Sequence, residues 1–575
     1  MKKLIAAVLL AAAFMLPVFS YDGNNQQKIY SVDSGVYKSM ETLYILSGQS
    51  LPSSSGPWSE AELQLMLERI DISALSDAGK SQYDSVKAMI TSEPRTRYKD
   101  NLAMQFGLTA ALEGYAHNNP KFDDYNDWFH SFTDRNPLFK GTFETWATDN
   151  FYGYFEISLG NNIGYDVGRP EGNHLYKQRY NINIPILNAI LLSKPSNGNI
   201  LADFDWTVPY RAFAAAGGQH WSVMAGRDKL SWGNGETGNL MLSDSFPRHT
   251  LLRFNTFFDK FKYSLLGTIY PSRDAKESQY DSLDGYKAMV VHRLEFWLFN
   301  NKVSLTLNEA CMFWSTPEQK FSLAQINPFG FMHNEYIAGN GNSLLVFEAN
   351  CTPFAGINIY GQAAVDEFSG PGEGRVNPAA FGIMAGIKGA TAVGSGIFTG
   401  SLEFVKTDPF LYIRGLHYKD DEKSLTGYGY DAYFRTISCD RIILERMSTT
   451  YKYGNDVILF DGKINYEIPK VFSVGFEAMF MKHGVMDIGS KWHMYNGAFE
   501  NAPNISTPST ANPFDSTETG EVESSTILSL TGEYYIVKGL SISAKADFLF
   551  VKNLDNILNN NQTDIQVTGG IKYEL

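Results

Sequence analysis

The sequence predicts an all-β protein, a transmembrane outer-membrane antiparallel β-barrel of about 16–18 strands, with a small N-terminal helical domain. Three observations lead to this prediction. The 575 residues include 39 Phe, 32 Tyr and 9 Trp, yet the mean hydropathy is −0.22, so the apolar residues are dispersed and not gathered into spanning helices. The chain opens on an export signal, and runs with a period of two dominate its later part.

Residues 1–20 have the composition of a signal peptide. Lys2 and Lys3 form a charged start, residues 4–16 are apolar, and a small-residue cleavage pattern follows. We expect the mature chain to begin at Tyr21, where no cysteine is present to carry a lipid anchor. Removal of the two lysines changes the net charge from −14 to −16, which argues against nucleic acid as a partner.

Residues 21–100 are predicted to form a periplasmic helical domain. Ser59 and Glu62 form a capping box, with apolar residues at helical spacing after it. A second helix is expected at residues 81–90, and another at residues 35–48.

Residues 101–575 are predicted to form the barrel. Apolar and polar residues alternate over about 9–11 positions, the length that a tilted strand needs to cross hydrocarbon and more than most strands of soluble sheets have. We expect Phe476 and Phe548 to face lipid. The polar residues of these runs are expected to line the lumen: Asp203, Asp205, Arg211, Asp461, Lys463, Glu467, Lys545 and Asp547.

The last alternating run ends at the carboxyl terminus. Residues 564–575 resemble the C-terminal strand that the barrel-assembly machinery of bacteria reads, although this run ends in Leu575 and not in an aromatic residue. Short connections are expected on the periplasmic side and long ones outside the cell. The predicted inner turns are residues 351–353, 407–409, 469–470 and 537–539, and the predicted outer loops are residues 483–523 and 553–563.

Three cysteines, Cys311, Cys351 and Cys439, are too few and too widely spaced for a disulfide framework or a zinc site. We expect them to act as small apolar residues on strands. The alternative is one bridge and a reactive thiol.

No motif indicates a cofactor or an active site. Residues 233–238 fit GxGxxG, but Pro247 follows too soon for the helix that a dinucleotide site needs. These glycines are therefore interpreted as turn residues at a barrel rim. The histidines are scattered, and neither HExxH nor GxSxG occurs. We expect a protein without enzyme activity, metal or cofactor.

One constellation of motifs resembles a known family, the Wzi-type capsule-assembly outer-membrane proteins. Its centre is GRDKLSWG at residues 226–233, continued by Gly235, by GNLMLSD at residues 238–244 and by Pro247. The supporting pieces are His292-Arg293-Leu294-Glu295, Asn327-Pro328-Phe329 with His333, and Tyr360-Gly361-Gln362 with Asp366-Glu367. The sequence departs from the family at Asn234, where a proline is expected.

The resemblance implies a monomeric barrel that carries a periplasmic helical bundle and holds surface polysaccharide without catalysis. Trp232 offers an aromatic face for a sugar ring, and nearby polar groups suit its hydroxyls. The predicted polysaccharide-binding residues are Arg227, Asp228, Trp232, Asn239 and Asp244. Alternatively, Trp232 belongs to the aromatic belt at the membrane interface.

Other functions remain open at this level. The same polar lumen would suit a porin-like diffusion channel for small solutes. A surface adhesin and a secreted soluble enzyme that acts on polysaccharide are further alternatives.

Overall fold

The structure is a computed structural model. It describes residues 25–90, 96–98, 102–119, 136–159, 206–271, 286–315, 341–367, 380–413, 416–417, 429–438, 441–486, 488, 493–495, 498–500 and 521–575. The predicted signal peptide, Asp203, Asp205, Cys439 and the Asn327-Pro328-Phe329 motif with His333 lie outside these residues.

Eighteen antiparallel strands close into one barrel, which confirms the predicted fold class. The strands are β1 Leu102–His117, β2 Phe139–Ala147, β3 Phe151–Leu159, β4 Trp206–Gly218, β5 Trp221–Asp228, β6 His249–Phe257, β7 Phe261–Pro271, β8 Tyr286–Leu298, β9 Val303–Ser315, β10 Gly341–Phe354, β11 Ile357–Glu367, β12 Ala380–Val393, β13 Gly396–Thr407, β14 Val457–Ile468, β15 Phe472–His483, β16 Glu523–Val537, β17 Leu540–Lys552 and β18 Gln562–Glu574. Each strand pairs with its successor, and β18 closes the barrel on β1, with Gly569 opposite Gly114.

Three α-helices precede the barrel: α1 Gly35–Leu46, α2 Glu60–Glu68 and α3 Asp77–Ile90. The backbone N–H of Glu62 donates to Ser59 Oγ at 3.3 Å, so the predicted cap forms at the start of α2. Apolar side chains of the three helices share one core, which includes Met40, Leu63 and Val86. None of the helices in the described residues is long and apolar enough to cross a membrane.

Several shorter elements complete the described chain. Ile29–Tyr30 pairs with Trp58–Ser59, and Ser55–Gly56 pairs with Ser231–Trp232. Asp431–Ser438 and Arg441–Ser448 form a hairpin, and Thr96–Tyr98 pairs with β1. The remaining elements are the strands Leu416–His417, His493–Tyr495 and Ala498–Glu500 and the 3₁₀ turns Ile72–Ala74 and Leu554–Asn556.

The two faces of the strands follow the predicted alternation. Large apolar side chains are exposed on the outer face, among them Phe106, Leu252, Leu402, Phe460 and Phe476. This face meets membrane lipid. The inner face carries the described residues that were expected to line the lumen: Arg211, Asp461, Lys463, Glu467, Lys545 and Asp547.

All the short connections between described strands lie at one end of the barrel, which we call the turn end, and the opposite end is the loop end. Turns occur at residues 469–471 and 538–539, in agreement with the prediction. The turn predicted at residues 351–353 is part of β10, and the chain reverses at residues 355–356 instead. The turn predicted at residues 407–409 is wrong, because Gly394, with φ +61°, already reverses the chain between β12 and β13. Residues 407–409 therefore lie at the loop end.

Candidate functional site

The helical domain covers the turn end of the barrel. It forms backbone hydrogen bonds with the turns after β2, β8 and β10. These bonds run from Gln26 N to Asp149 O at 2.9 Å, from Ser50 N to Asn301 O at 2.6 Å and from Gly356 N to Ile45 O at 2.8 Å. An ion pair at 3.2 Å joins Arg69 to Asp259 in the turn after β6.

Between α1 and α2, the segment 50–59 reaches a buried charge network on the inner wall. The Arg293 guanidinium contacts Glu348 at 2.6 Å and Glu295 at 3.1 Å, and none of the three side chains is more than 3% exposed. Ser55 Oγ donates to Glu295 at 2.5 Å. Lys262 donates to Ser53 Oγ at 2.9 Å and also pairs with a carboxylate of α2. The network therefore ties the N-terminal segment to the barrel wall.

The connection between β5 and β6, residues 229–248, folds into the lumen and meets this segment. Trp232 pairs with Ser55, and its ring N–H donates to Gly56 O at 3.0 Å. Its side chain is 0% exposed. The expectation that Trp232 stacks on a sugar therefore needs correction, because both ring faces are covered by protein. The aromatic-belt alternative fails too, because the residue lies inside the barrel.

The glycine-rich turn at residues 233–238 is held by one carboxylate. The backbone N–H groups of Glu236 and Thr237 donate to Glu403 at 2.8 and 2.9 Å. Gly233 and Gly238 have φ values of +136° and +127°, which side chains rarely tolerate. The sequence had suggested that this turn lies at the barrel rim. In the structure it lies within the lumen.

Within the described residues, the central motif and the Tyr360-Gly361-Gln362 piece, both of which resemble the Wzi-type family, meet at this connection. Gln362 donates to Asn239 Oδ1 and accepts from the N–H of Leu240, both at 2.9 Å. Tyr360 donates to Glu403 at 2.7 Å. The pieces thus anchor the inward fold of residues 229–248, a role that sequence reasoning missed because it depends on contacts across the lumen.

The described residues 408–413, 429–438 and 441–456 of a second long connection lie over the first at the loop end. The Tyr412 hydroxyl donates to Leu240 O at 2.9 Å, and the N–H of Tyr412 donates to Asp366 at 2.6 Å. Tyr451 and Thr237 share a hydrogen bond at 3.0 Å. The described part of the lumen thus contains the segment from the helical domain, residues 229–248, and residues 408–413 and 441–456.

The five residues predicted to bind polysaccharide do not converge. Arg227 is half-buried on the outer face of β5, in alternation with buried residues. Asp228 is buried and accepts from Arg211 at 3.1 Å. Asn239 is buried in the contacts described above, as is Trp232. Of these five residues, Asp244 is the one whose carboxylate is half exposed.

After the end of β5, Asp244 belongs to a partly exposed charge cluster with Lys229 and Asp33, which we call the recess. The Lys229 ammonium lies 2.8 Å from Asp33 and 3.8 Å from Asp244, and the two acidic side chains are 53% and 52% exposed. Partial burial opposes ionisation of Asp33, but the Lys229 ammonium prevails and lowers the pKa of this carboxyl below its ordinary value. The recess offers fixed charges and hydrogen-bonding groups to solvent.

The described residues indicate neither a metal site nor a reactive cysteine. Within them, no three His, Cys, Asp or Glu side chains are grouped in a way that could hold a metal ion. Cys311 is buried on β9 and Cys351 is half-buried on β10, in positions suited to small apolar residues.

Comparison with known proteins gives a structural match and no sequence match. No protein-family model matches the chain, and no curated protein is similar to it in sequence. The structure is similar to Wzi, an outer-membrane protein involved in group 1 capsule assembly in Escherichia coli and described as a carbohydrate-binding β-barrel. The TM-score is 0.56 at 13% identity, over 95% of this chain and 98% of that one.

Two outer-membrane channels match more weakly. OprD of Pseudomonas aeruginosa has a TM-score of 0.37 at 9% identity, over 82% of this chain and 95% of that one. DcaP of Acinetobacter baumannii has a TM-score of 0.35 at 9% identity, over 84% of this chain and 100% of that one. The chain is therefore an outer-membrane β-barrel with the fold of Wzi.

Proposed function

We propose that this protein binds or anchors surface polysaccharide at the outer membrane without catalysis. The observation that supports this function best is the occupied lumen. Residues 25–90 enter from the turn end, and residues 229–248 with residues 408–413 and 441–456 lie in the barrel on the side of the loop end. A diffusion channel needs a continuous water path, and an occupied lumen disfavours one.

The same proposal gives the barrel an orientation. The turn end and the helical domain face the periplasm, the loop end faces outward, and β18 is the strand that the assembly machinery reads in a monomeric barrel. An epitope inserted near Pro508, in the long connection between β15 and β16, should then be accessible to antibody on intact cells. Access only after permeabilisation would contradict the orientation.

Polysaccharide contact is assigned to the recess formed by Asp33, Lys229 and Asp244. Its carboxylates accept and its ammonium donates hydrogen bonds, as sugar hydroxyls require. Asp244 is a predicted binding residue whose side chain is half exposed, and the Asp33 side chain is exposed to a similar extent. Trp232 serves this site indirectly, because it joins the inward connection to the segment that holds Ser55 and Gly56.

The test is binding of the purified protein to the surface polysaccharide of its own organism. Substitution of Lys229→Ala together with Asp244→Ala should weaken binding at least about fivefold, since two hydrogen-bonding groups are lost. Asp77→Ala, at a fully exposed carboxylate of α3, is the matched control and should have no effect. Unchanged binding in the double variant, or no binding by the unmodified protein, would refute the proposal.

A further inference from the structure

A separate cavity of about 200 Å³ lies at the turn end, between the helical domain and the barrel wall. Its floor and sides come from α1, α3, β13, β14, β16 and the turn after β14. The polar lining residues that matter below are Lys38, Gln82, Asn465, Glu467, Lys470 and Tyr535. None of the three recess residues lines this cavity, although Asp33 lies two residues before the lining residue Gly35.

Two lining residues carry buried polar atoms that have no hydrogen-bond partner among the described residues. Gln82 is 7% exposed; its side-chain N–H donates to Ser39 Oγ at 2.7 Å, but its Oε1 accepts nothing. Asn465 has a buried Nδ2 that donates to nothing. A buried polar atom without a hydrogen bond is costly, so a ligand that offers a donor to Gln82 and an acceptor to Asn465 is favoured here. A ligand with several hydroxyl groups supplies both.

The charge and the shape of the lining further restrict the class of ligand that fits the cavity. Lys38 and Lys470 provide two positive charges against the one negative charge of Glu467. Tyr535 adds an aromatic ring, and Met89 and Ile397 add apolar surface, which suits the C–H face of a sugar. The volume is below the roughly 300–1,000 Å³ of sites for drug-sized ligands, so a single ring is the largest fitting unit.

We propose that this cavity binds one sugar unit that carries a carboxylate, held between the helical domain and the barrel. The carboxylate lies toward Lys38 and Lys470, and the hydroxyls bind Gln82, Asn465 and Glu467. This site goes beyond the proposed function, which concerns the loop end, and does not depend on it. Because the ligand touches both the helices and the wall, it also stabilises the docking of the helical domain.

The experiment uses full-length protein in detergent and compares glucuronate, glucose and inorganic phosphate as probes. Ligand-observed NMR should detect glucuronate at least tenfold more tightly bound than glucose, and phosphate should not displace it. Gln82→Met, which removes the unpartnered oxygen, and Ser85→Phe, which fills the cavity, should each weaken glucuronate binding at least tenfold. Gln64→Met on α2 is the matched control and should leave binding unchanged.

Two further measurements show whether each variant is folded and whether glucuronate stabilises the protein. Retained heat-modifiable migration on gels shows that each variant is folded, and glucuronate should raise the melting temperature of the unmodified protein but not of Ser85→Phe. The proposal is overturned if no probe binds, if glucose or phosphate binds as well as glucuronate, or if folded Gln82→Met and Ser85→Phe bind normally. Loss of glucuronate binding leaves polysaccharide binding at the loop end intact, so the two proposals fail separately.

Discussion

Two sectors of the inner wall carry similar polar residues in different surroundings. We call the sector with Arg293, Glu295 and Glu348, on β8 and β10, the covered wall, and the sector with Lys545 and Lys572, on β17 and β18, the open wall. Arg293 is 0% exposed, whereas Lys572 is 36% exposed. On the covered wall, charged groups bond to the N-terminal segment, whereas on the open wall the two lysines are partly exposed and pair with a carboxylate of their own strand.

The difference shows what determines whether an inward-facing charged side chain is buried. Both walls have the same alternation of apolar and polar residues, so the strands themselves are alike. The covered wall faces Ser53 and Ser55, which lie more than two hundred residues earlier in the chain and bond to Glu295. Burial of a lumen charge is thus set by a remote segment and not by the strand that carries it.

The largest expected effect is on the covered wall. Arg293→Met leaves Glu295 and Glu348 buried without their guanidinium partner, which should lower the free energy of unfolding by about 3–5 kcal/mol. Lys572→Met, on the open wall, should cost at most about 1 kcal/mol. Urea unfolding in lipid vesicles measures both, and equal losses would remove the distinction between the walls.

The next effect tests the register that places both walls inside. Phe476→Arg puts a charge on the lipid face and should cost about 2–4 kcal/mol if it lies near the midplane. Lys545→Arg keeps the charge on the open wall and should be nearly neutral. Asp547 is unsuitable as a mild control, because it is buried and accepts a hydrogen bond from Ser529. Similar losses at Phe476 and Lys545 would show that the faces are wrongly assigned.

A graded effect concerns pH and the attachment of the helical domain. Burial raises the pKa of Glu60 in α2 from 4.5 to about 8, so the folded state holds a proton that the unfolded state releases. Stability should therefore fall as the pH rises from 4.5 to about 8, by at most about 1.4 kcal/mol per pH unit. Melting temperatures across this range should flatten in Glu60→Gln, and an unchanged slope would contradict the assignment.

The smallest effect is at the start of α2. Ser59→Ala removes the acceptor for the N–H of Glu62 and should cost about 1 kcal/mol. Limited proteolysis of the helical domain should become faster, while the heat-modifiable migration of the barrel stays unchanged. Ser73→Ala, in an exposed 3₁₀ turn, is the control; equal proteolysis of the two variants would argue against a specific cap.

The sequence could predict those features that local periodicity reports. Alternation identified the outer position of Phe476 and the inner position of Lys463, and the Ser59 cap was readable from adjacent residues. The prediction of an inner turn at residues 407–409 was wrong, because a proline next to a polar residue suits either end of a strand. The exposure of the Trp232 ring was predicted wrongly because the residues that cover it, Ser55 and Gly56, are distant in sequence.

The central claim is that segments of the chain close the lumen, and conductance in a planar bilayer tests it most directly. We expect the full-length protein to give no steady conductance steps, because residues 25–90, 229–248, 408–413 and 441–456 lie in the path between the two ends. Retained heat-modifiable migration must show that the inserted protein is folded. Steady ohmic steps from such protein would contradict the claim and favour a diffusion channel.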